Sequence, residues 1–403
     1  METGKLMSFD NSMDFIEKLI KIGVDYHASD IHITPSKTQV FIRYRISGNL
    51  ESFYGISLEN YDKLLNSIKI ASSLAIDEHN HIQDGKMIFN IDHKGAKLSV
   101  NVRVSILPII YGENIVMRLL ISSSDRLNIN NLGFSEHNLK IISKIKDLEE
   151  GLVLLCGGTG SGKTTTLYSL LNQYDPFKSS IFTLEDPVEY TVDGYVQSEV
   201  KDKKSASNNI SYTFQEGLVG ILRQDPDIIM IGEIRRKEEA SICLEAANTG
   251  HLVMGSIHSN SSIGTITRLK KLGVESYLLS SSLKYVVYQK LIRQICPICR
   301  EKITFTKQDF PQKFHPFLKQ DSYEVYKVHA EGCQNCIKGY VGNTLISDII
   351  ENNDDLYDLI LSGKGDVEIK NYLLSKGYIP IYIDALNKAI KGEIDIKDVL
   401  ILE

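Results

Sequence analysis

The sequence has no excess of positive charge, no export signal and no apolar stretch suited to span a bilayer. Its 45 Lys and Arg face 51 Asp and Glu, a formal net charge of −6, which makes a nucleic-acid partner a poor expectation. The first residues, METGKLMSFDNSMDF, contain no apolar core of the signal-peptide type. The longest stretch without Lys, Arg, Asp or Glu, 246–267, is rich in Ser, Thr, Asn, Gly and His. We therefore expect a cytosolic protein that reaches any membrane through a partner.

The composition is that of an ordinary globular protein of two or three domains. Hydrophobic residues make up 42% of the 403 positions and charged residues 24%, and we find no internal repeat or low-complexity tract. Changes of pattern along the chain divide it into five segments. They are an α+β domain (1–122), a linker (123–134), an α/β core (135–292), a cysteine-bearing segment (293–340) and a helical C-terminal region (341–403).

The first segment mixes helices with short β-rich runs. An amphipathic helix begins near Phe15 and is expected to stop at Gly23, and a second helix is predicted near 58–76. Alternation in LSVNVRVSI places Val100, Val102 and Val104 on one face of a strand. The predicted strands are 31–34, 40–46, 87–91, 98–107 and 114–120.

From about residue 135 the pattern changes to alternating helices and strands. A helix with an apolar face (139–148) precedes a wholly apolar run, LVLLC. Short apolar runs bounded by polar residues are typical of a parallel sheet covered on both faces. The predicted strands are 152–156, 181–185, 227–233 and 251–257.

A glycine-rich loop between the first of these strands and the next helix has the pattern GxxxxGK[ST]. This is the order of elements that a phosphate-binding loop requires, since its backbone N–H groups and the helix N-terminus then converge on phosphate oxygens. Lys163 is predicted to reach the β- and γ-phosphates, and the Thr164 hydroxyl to ligate Mg²⁺. The predicted nucleotide-binding residues are Gly157, Gly158, Thr159, Gly160, Ser161, Gly162, Lys163, Thr164 and Thr165.

Carboxylates follow two other predicted strands of the same sheet. Because the carboxyl ends of parallel strands share one edge, Glu233 is placed to orient or deprotonate an attacking water. The position before it is Gly232 and not the usual Asp, so metal coordination is expected to use Thr164, waters, and Glu185 or Glu189. His258, after the strand 251–257, could sense the γ-phosphate, although a lone His is more often structural.

Four of the six cysteines form two CxxC pairs. Cys296 and Cys299 are separated from Cys333 and Cys336 by 33 residues. Four thiolates are the ligand set of a closed, structural zinc site, and we expect the intervening stretch to be a loop. Four free thiols or a redox pair are the alternatives.

At this point the sequence resembles secretion ATPases of the GspE/PilB type, the motors of type II secretion, type IV pilus and competence systems. The resemblance rests on GGTGSGKTTTLY, TLEDPVEY, LRQDPDIIMIGEIR and TGHLVMGSIHSN, which match the Walker A, Asp, Walker B and His boxes in order. It extends backwards through ASDIHITP, FIRYRISG, QDGK and VRVSILP…GENIVMRLL, and forwards through the cysteines. The chain is expected to be a compact form of this family, without the long N-terminal docking domain of many members.

The resemblance implies a PAS-like domain, a RecA-like ATPase domain and a homo-hexamer with nucleotide between subunits. It implies that Arg103 and Arg118 reach the phosphates of a neighbouring subunit, and that His258 belongs to the site. ATP, Mg²⁺ and Zn²⁺ are the implied cofactors. The implied partner is an inner-membrane platform protein, with the motor peripheral at the cytoplasmic face and no direct contact with nucleic acid.

Departures from the family pattern leave subunit coupling open. Gly158 stands where Pro is usual, Arg236 where Asp is usual and Val219 where Arg is common, and a polar insert occupies 201–209. A nucleic-acid translocase, a pilus retraction motor and a nucleotide-binding scaffold without turnover are the competing interpretations.

Overall fold

The computed structural model describes residues 6–46, 48–93, 96–122, 127–200 and 212–402. The chain divides into two compact units, 1–123 and 124–403. The insert at 201–209 and the first part of the predicted linker (123–126) lie outside the described residues.

The described part of the first unit is one sheet of seven strands with two helices. Along the sheet the strand order is β1-β4-β3-β2-β7-β6-β5, antiparallel except for the β1–β4 pair. The elements are β1 (Leu6–Met7), α1 (Ser12–Asp25), β2 (Ala28–Pro35), β3 (Val40–Ile46), β4 (Asn49–Ile56), α2 (Leu58–Ala71), β5 (Gln83–His93), β6 (Ala96–Ile109) and β7 (Gly112–Ser122).

The sequence patterns explain most of this unit. The five predicted strands are confirmed within β2, β3, β5, β6 and β7, and Val100, Val102 and Val104 are buried together. Asn11 and Ser57 cap α1 and α2 by accepting backbone N–H bonds. The prediction that α1 stops at Gly23 is wrong, because the helix continues to Asp25. Gly23 instead allows close packing, since a Cβ there would lie 2.5 Å from Leu119 Cδ1.

The second unit contains a sheet of order β10-β9-β11-β12-β8-β13-β16, parallel except for the antiparallel β13–β16 pair. All four predicted strands are confirmed in β8, β9, β11 and β12. Apolar clusters cover both faces of the sheet, as the continuous apolar runs predict. The elements from here to the end of the sheet's central part are α3 (Glu136–Ile142), β8 (Gly151–Cys156), α4 (Lys163–Leu171), β9 (Ile181–Glu185), β10 (Val196–Glu199), α5 (Phe214–Ile221), β11 (Ile228–Ile231), α6 (Lys237–Asn248), β12 (Leu252–Ile257), α7 (Ser262–Lys271), α8 (Ser276–Ser282) and β13 (Leu283–Ile295).

The rest of the chain departs from two expectations. The stretch between the CxxC pairs is a packed hairpin with short 3₁₀ turns, not a loop, and Phe310, Phe314 and Val325 are buried in the core of the second unit. The region predicted as helical begins with a strand that joins the main sheet, and helices follow it. These elements are β14 (Glu301–Thr306), β15 (Ser322–Lys327), β16 (Tyr340–Glu351), α9 (Asp354–Leu361), α10 (Asp366–Ser375), α11 (Ile381–Lys391) and α12 (Ile396–Leu400).

Candidate functional site

The glycine-rich loop joins the central strand β8 to α4, as predicted. Three of its glycines have positive backbone angles, φ +150° at Gly157, +75° at Gly160 and +86° at Gly162. Gly157 has no room for a side chain, because a Cβ there would lie 2.5 Å from the Gln289 carbonyl oxygen. Gly158 faces open space, so no steric requirement for glycine exists where the family usually has Pro.

Lys163, the first residue of α4, folds back onto this loop. Its Nζ donates to the carbonyl oxygens of Gly157 at 3.0 Å and Gly158 at 3.1 Å. Burial lowers the pKa of Lys163, and the charges of Glu233 and Glu189 oppose that shift. The ammonium therefore lies in a partly desolvated site with two candidate carboxylates nearby, where a phosphate would find a strong cationic partner.

Glu185, at the end of β9, lies in a closed hydrogen-bond cluster. It accepts from the Tyr168 hydroxyl at 2.6 Å and the Thr183 hydroxyl at 2.8 Å, and only 2% of it is exposed. Gln197 donates to the same Tyr168 oxygen at 2.8 Å. Burial raises the pKa of the Glu185 carboxyl. The carboxylate thus fastens β9 to α4.

Glu233, just beyond β11, is in contact with two basic side chains. Arg235 approaches Oε2 through Nε at 2.8 Å and a terminal nitrogen at 2.7 Å. His258 Nε2 lies 3.4 Å from Oε1. Gly232 before it passes close to Glu185, whose Cα would be 3.3 Å from a Cβ, so a side chain at that position would crowd β9. Two residues predicted separately for the site, Glu233 and His258, therefore lie in contact.

The two predicted arginines lie in the first unit, directly opposite each other on β6 and β7. Arg118 Nε is 2.9 Å from Oδ1 of the buried Asp30, and Arg45 is 3.8 Å from the other oxygen of that carboxylate. The Arg118 side chain is still 57% exposed. Its guanidinium is thus held at one point and open to a further anion.

The four cysteines of the CxxC pairs come together. Their sulfurs all lie within 4.8 Å of one another, with Cys296–Cys333 at 3.8 Å and Cys299–Cys336 at 3.7 Å. Four sulfurs around one zinc at about 2.3 Å would be about 3.8 Å apart in tetrahedral geometry. Gly332 and Gly339 have φ of +71° and +82°, which allows the tight turns around the second pair. The donor set therefore fits a tetrahedral metal.

Comparison with known families shows which family the chain belongs to. Residues 7–401 match the family model described as "Type II/IV secretion system protein". The chain belongs to that family. The type II secretion system ATPase E of Vibrio cholerae is 36% identical over 375 residues, 93% of this chain and 71% of that one. The type IV pilus assembly ATPase PilB of Myxococcus xanthus is 34% identical over 387 residues, 96% of this chain and 66% of that one.

Solved structures agree on the fold of this secretion ATPase. The Legionella pneumophila ATPase DotB matches with a TM-score of 0.69 at 18% identity, covering 99% of this chain and 98% of that one. The pilus retraction motor PilT with bound ADP matches with a TM-score of 0.62 at 22% identity, covering 96% of each chain. At these identities the likeness concerns the RecA-like fold alone. None of the helices in the part of the chain that the structure describes has the length and hydropathy of a membrane span.

Several residues of the site are absent from the sequence-based assignment. Arg235 and Tyr168 contact the two assigned carboxylates, and Gln289 on β13 donates to the Ser161 carbonyl oxygen at 2.8 Å. The sequence did contain an indication of Arg235, because a cation two positions after the strand-end carboxylate Glu233 can contact it. Tyr168 and Gln289 had none, because their contacts depend on how distant elements pack.

A buried carboxylate lies on β16, a strand of the sheet from which the phosphate loop begins. Asp348 on β16 is opposite Tyr288 of β13, which is in turn opposite Cys156 of β8. The hydroxyls of Ser262 and Tyr378, which lie 3.0 Å apart, favour the ionised carboxylate, and Asp348 Oδ1 has no hydrogen-bond partner within the described residues. Burial raises the pKa of Asp348 to about 7, against an ordinary value of 3.8.

This shift predicts a pH-dependent stability. Between pH 4 and pH 7 the folded chain keeps a proton on Asp348 that the unfolded chain has lost, so this group's contribution falls as pH rises through that window. Asp348→Asn is expected to raise the melting temperature at pH 8 and to raise it less at pH 5, which lies nearer the ordinary value of 3.8. Melting curves of both proteins at several pH values measure this. An equal difference at both ends would show that the carboxyl does not titrate in this window.

Proposed function

We propose that this ATPase is a hexameric motor that drives assembly of a type IV pilus, competence pilus or type II pseudopilus. It works at the cytoplasmic face of the membrane, docked on a polytopic platform protein. The observation that carries the proposal is the convergence of Lys163, Glu233 and His258 at one edge of the sheet, in a chain whose relatives are secretion and pilus-assembly ATPases.

In this proposal the loop amides and Lys163 bind the β- and γ-phosphates of ATP. Thr164 and Glu189 are the residues that would hold Mg²⁺, which would supply positive charge against the phosphates. Glu185 is a weaker candidate, because it is buried and its Oε1 already accepts hydrogen bonds from the Tyr168 and Thr183 hydroxyls. Glu233 accepts the proton of the attacking water, and Arg235 and His258 hold its carboxylate in place.

Purified protein tests the proposal directly. We expect ATP hydrolysis by a hexamer, measured as phosphate release alongside mass determination in solution. Single-stranded DNA is expected to leave the rate unchanged. Strong stimulation by DNA would favour the nucleic-acid translocase instead. ATP turnover by a monomer would contradict the proposed hexamer.

We infer that each subunit binds one Zn²⁺ through Cys296, Cys299, Cys333 and Cys336. The spacing of the sulfurs supports this, and a closed four-cysteine site has no open position for chemistry. The site joins the end of β13 to the start of β16, two neighbouring strands of the main sheet. The metal would then fix the hairpin that lies between them.

Cys333→Ser is expected to loosen the segment 293–340 while nucleotide binding persists. Structural zinc contributes folding free energy, about 10–16 kcal/mol in small finger peptides. The effect here is local because the apolar cluster that packs α4 against the sheet contains no residue of 293–340. Metal analysis should give one zinc per wild-type subunit, and limited proteolysis should cut the variant within 293–340. Cys243→Ser, which changes a buried thiol outside the cluster, is the control. Wild-type protein without metal and with four titratable thiols would end this proposal.

A further inference from the structure

Gln289 on β13 touches both ends of the phosphate loop. Its Nε2 donates to the Ser161 carbonyl oxygen at 2.8 Å, near the end of the loop, and would lie 3.3 Å from a Cβ on Gly162. The backbone carbonyl oxygen of Gln289 lies next to the start of the loop, 2.5 Å from where a Cβ of Gly157 would be. One residue of the neighbouring strand therefore forms the floor of the loop.

Packing alone does not explain a glutamine at this position. Gln289 is fully buried on β13, which lies between β8 and β16, and its neighbours Val287 and Tyr288 belong to the apolar core. Within the described residues neither its Oε1 nor the Ser161 hydroxyl has a hydrogen-bond partner. A buried acceptor without a partner is costly, so an apolar side chain of the same length would suit the strand better. The amide must serve the loop.

We propose that Gln289 is a positioning residue that sets the phosphate loop in its nucleotide-receiving conformation. This rests on the proposed function, in which the loop holds the phosphates. Fixing the Ser161 carbonyl fixes the turn into α4 and thereby the start of the helix at Lys163. A loop ordered before binding loses less conformational entropy when the nucleotide arrives. The contribution therefore lies in nucleotide binding and not in the attack of water, which involves Glu233.

Gln289→Met and Gln289→Glu test this assignment. Losing a buried hydrogen bond should weaken binding of a fluorescent ADP roughly tenfold and raise KM for ATP in parallel. The kcat at saturating ATP should change less than about threefold, since the removed interaction acts on ground state and transition state alike. Gln289→Glu keeps the shape but turns an acceptor toward the Ser161 oxygen, so its loss should be larger.

Val287→Ala is the matched control. It lies two positions away on the same face of β13 and is fully buried, so it should lower the melting temperature without changing nucleotide affinity. If Gln289→Met is too unstable to purify, Gln289→Leu, which also removes the amide without burying a charge, carries the same comparison. Amide hydrogen exchange of the loop, faster in the Gln289 variants than in Val287→Ala, reports the loop's order independently of turnover.

Affinity within about twofold of wild type in Gln289→Met, with a loss of stability like that of Val287→Ala, would overturn the assignment. Lys163→Ala separates this from a failure of the proposed function. If Lys163→Ala loses nucleotide and the Gln289 variants do not, only the positioning role is wrong. If Lys163→Ala also binds and hydrolyses ATP normally, the loop is not the nucleotide site.

Discussion

Lys163→Ala is expected to abolish ATP turnover, and Glu233→Gln to reduce it by roughly a hundredfold or more while ATP still binds. Lys163 is the cation of the phosphate loop, and its ammonium is already poised on the loop carbonyls. Glu233→Gln keeps the shape of the side chain but cannot accept the proton of the attacking water. Steady-state phosphate release and fluorescent-nucleotide binding on both variants distinguish loss of binding from loss of chemistry.

Two substitutions serve as controls for that experiment. Lys178→Ala removes an exposed lysine beyond α4, and Glu238→Gln removes an exposed carboxylate in the first turn of α6, and both should hydrolyse ATP at the wild-type rate. Near-normal turnover by Glu233→Gln would exclude Glu233 from the chemistry. Normal turnover by Lys163→Ala would place the nucleotide elsewhere.

Arg235→Gln would show how the carboxylate is held. The guanidinium contacts Oε2 of Glu233 through two nitrogens, whereas His258 contacts the other oxygen at a longer distance. Charge-assisted contacts of this kind fix the orientation of a carboxylate. A base that has lost this partner should be less well oriented, so Arg235→Gln is expected to lower the rate of phosphate release while nucleotide binding persists.

Local sequence patterns were sufficient to predict the elements that form the nucleotide site. The phosphate loop, β9, β11 and β12 are each encoded within about ten consecutive residues, and hydrophobic runs bounded by polar residues mark them clearly. The same rule fails for β16. Residues 344–350 are buried on both faces, but Thr344, Ser347 and Asp348 interrupt the apolar residues. The local pattern therefore does not distinguish a strand from a helix without its neighbour β13.

Contacts between distant segments were beyond prediction for a different reason. The hydrogen bond from Gln289 to Ser161 joins residues 128 positions apart, and the Arg118–Asp30 pair joins residues 88 positions apart. Each depends on strand order and register, which no local pattern specifies. The cysteine cluster is the exception. Two CxxC pairs predict a shared set of metal ligands whatever the fold that brings them together.

Arg118→Ala is expected to eliminate most ATP turnover while nucleotide binding by single subunits persists. The proposal is that Arg118 acts on the phosphates of a neighbouring subunit, where arginine fingers contribute about 10³–10⁵ in rate in the best-studied switches. Asp30 holds the guanidinium through Nε and leaves it 57% exposed, an arrangement suited to a second anion. Arg45→Ala is the matched control, since Arg45 borders the same carboxylate from β3. Arg103→Ala, on the facing strand, should resemble Arg118→Ala if both reach the phosphates.

Mixing variants decides whether Arg118 acts between subunits. A hexamer assembled from Arg118→Ala and Lys163→Ala chains contains some interfaces with an intact phosphate loop on one side and an intact arginine on the other. Those interfaces should restore part of the turnover that each variant lacks alone. Two variants defective within their own subunits would stay inactive in every mixture. Co-assembly must first be shown by two tags on one particle, and fully inactive mixed hexamers would then assign Arg118 to its own subunit, as a strand arginine that pairs with Asp30.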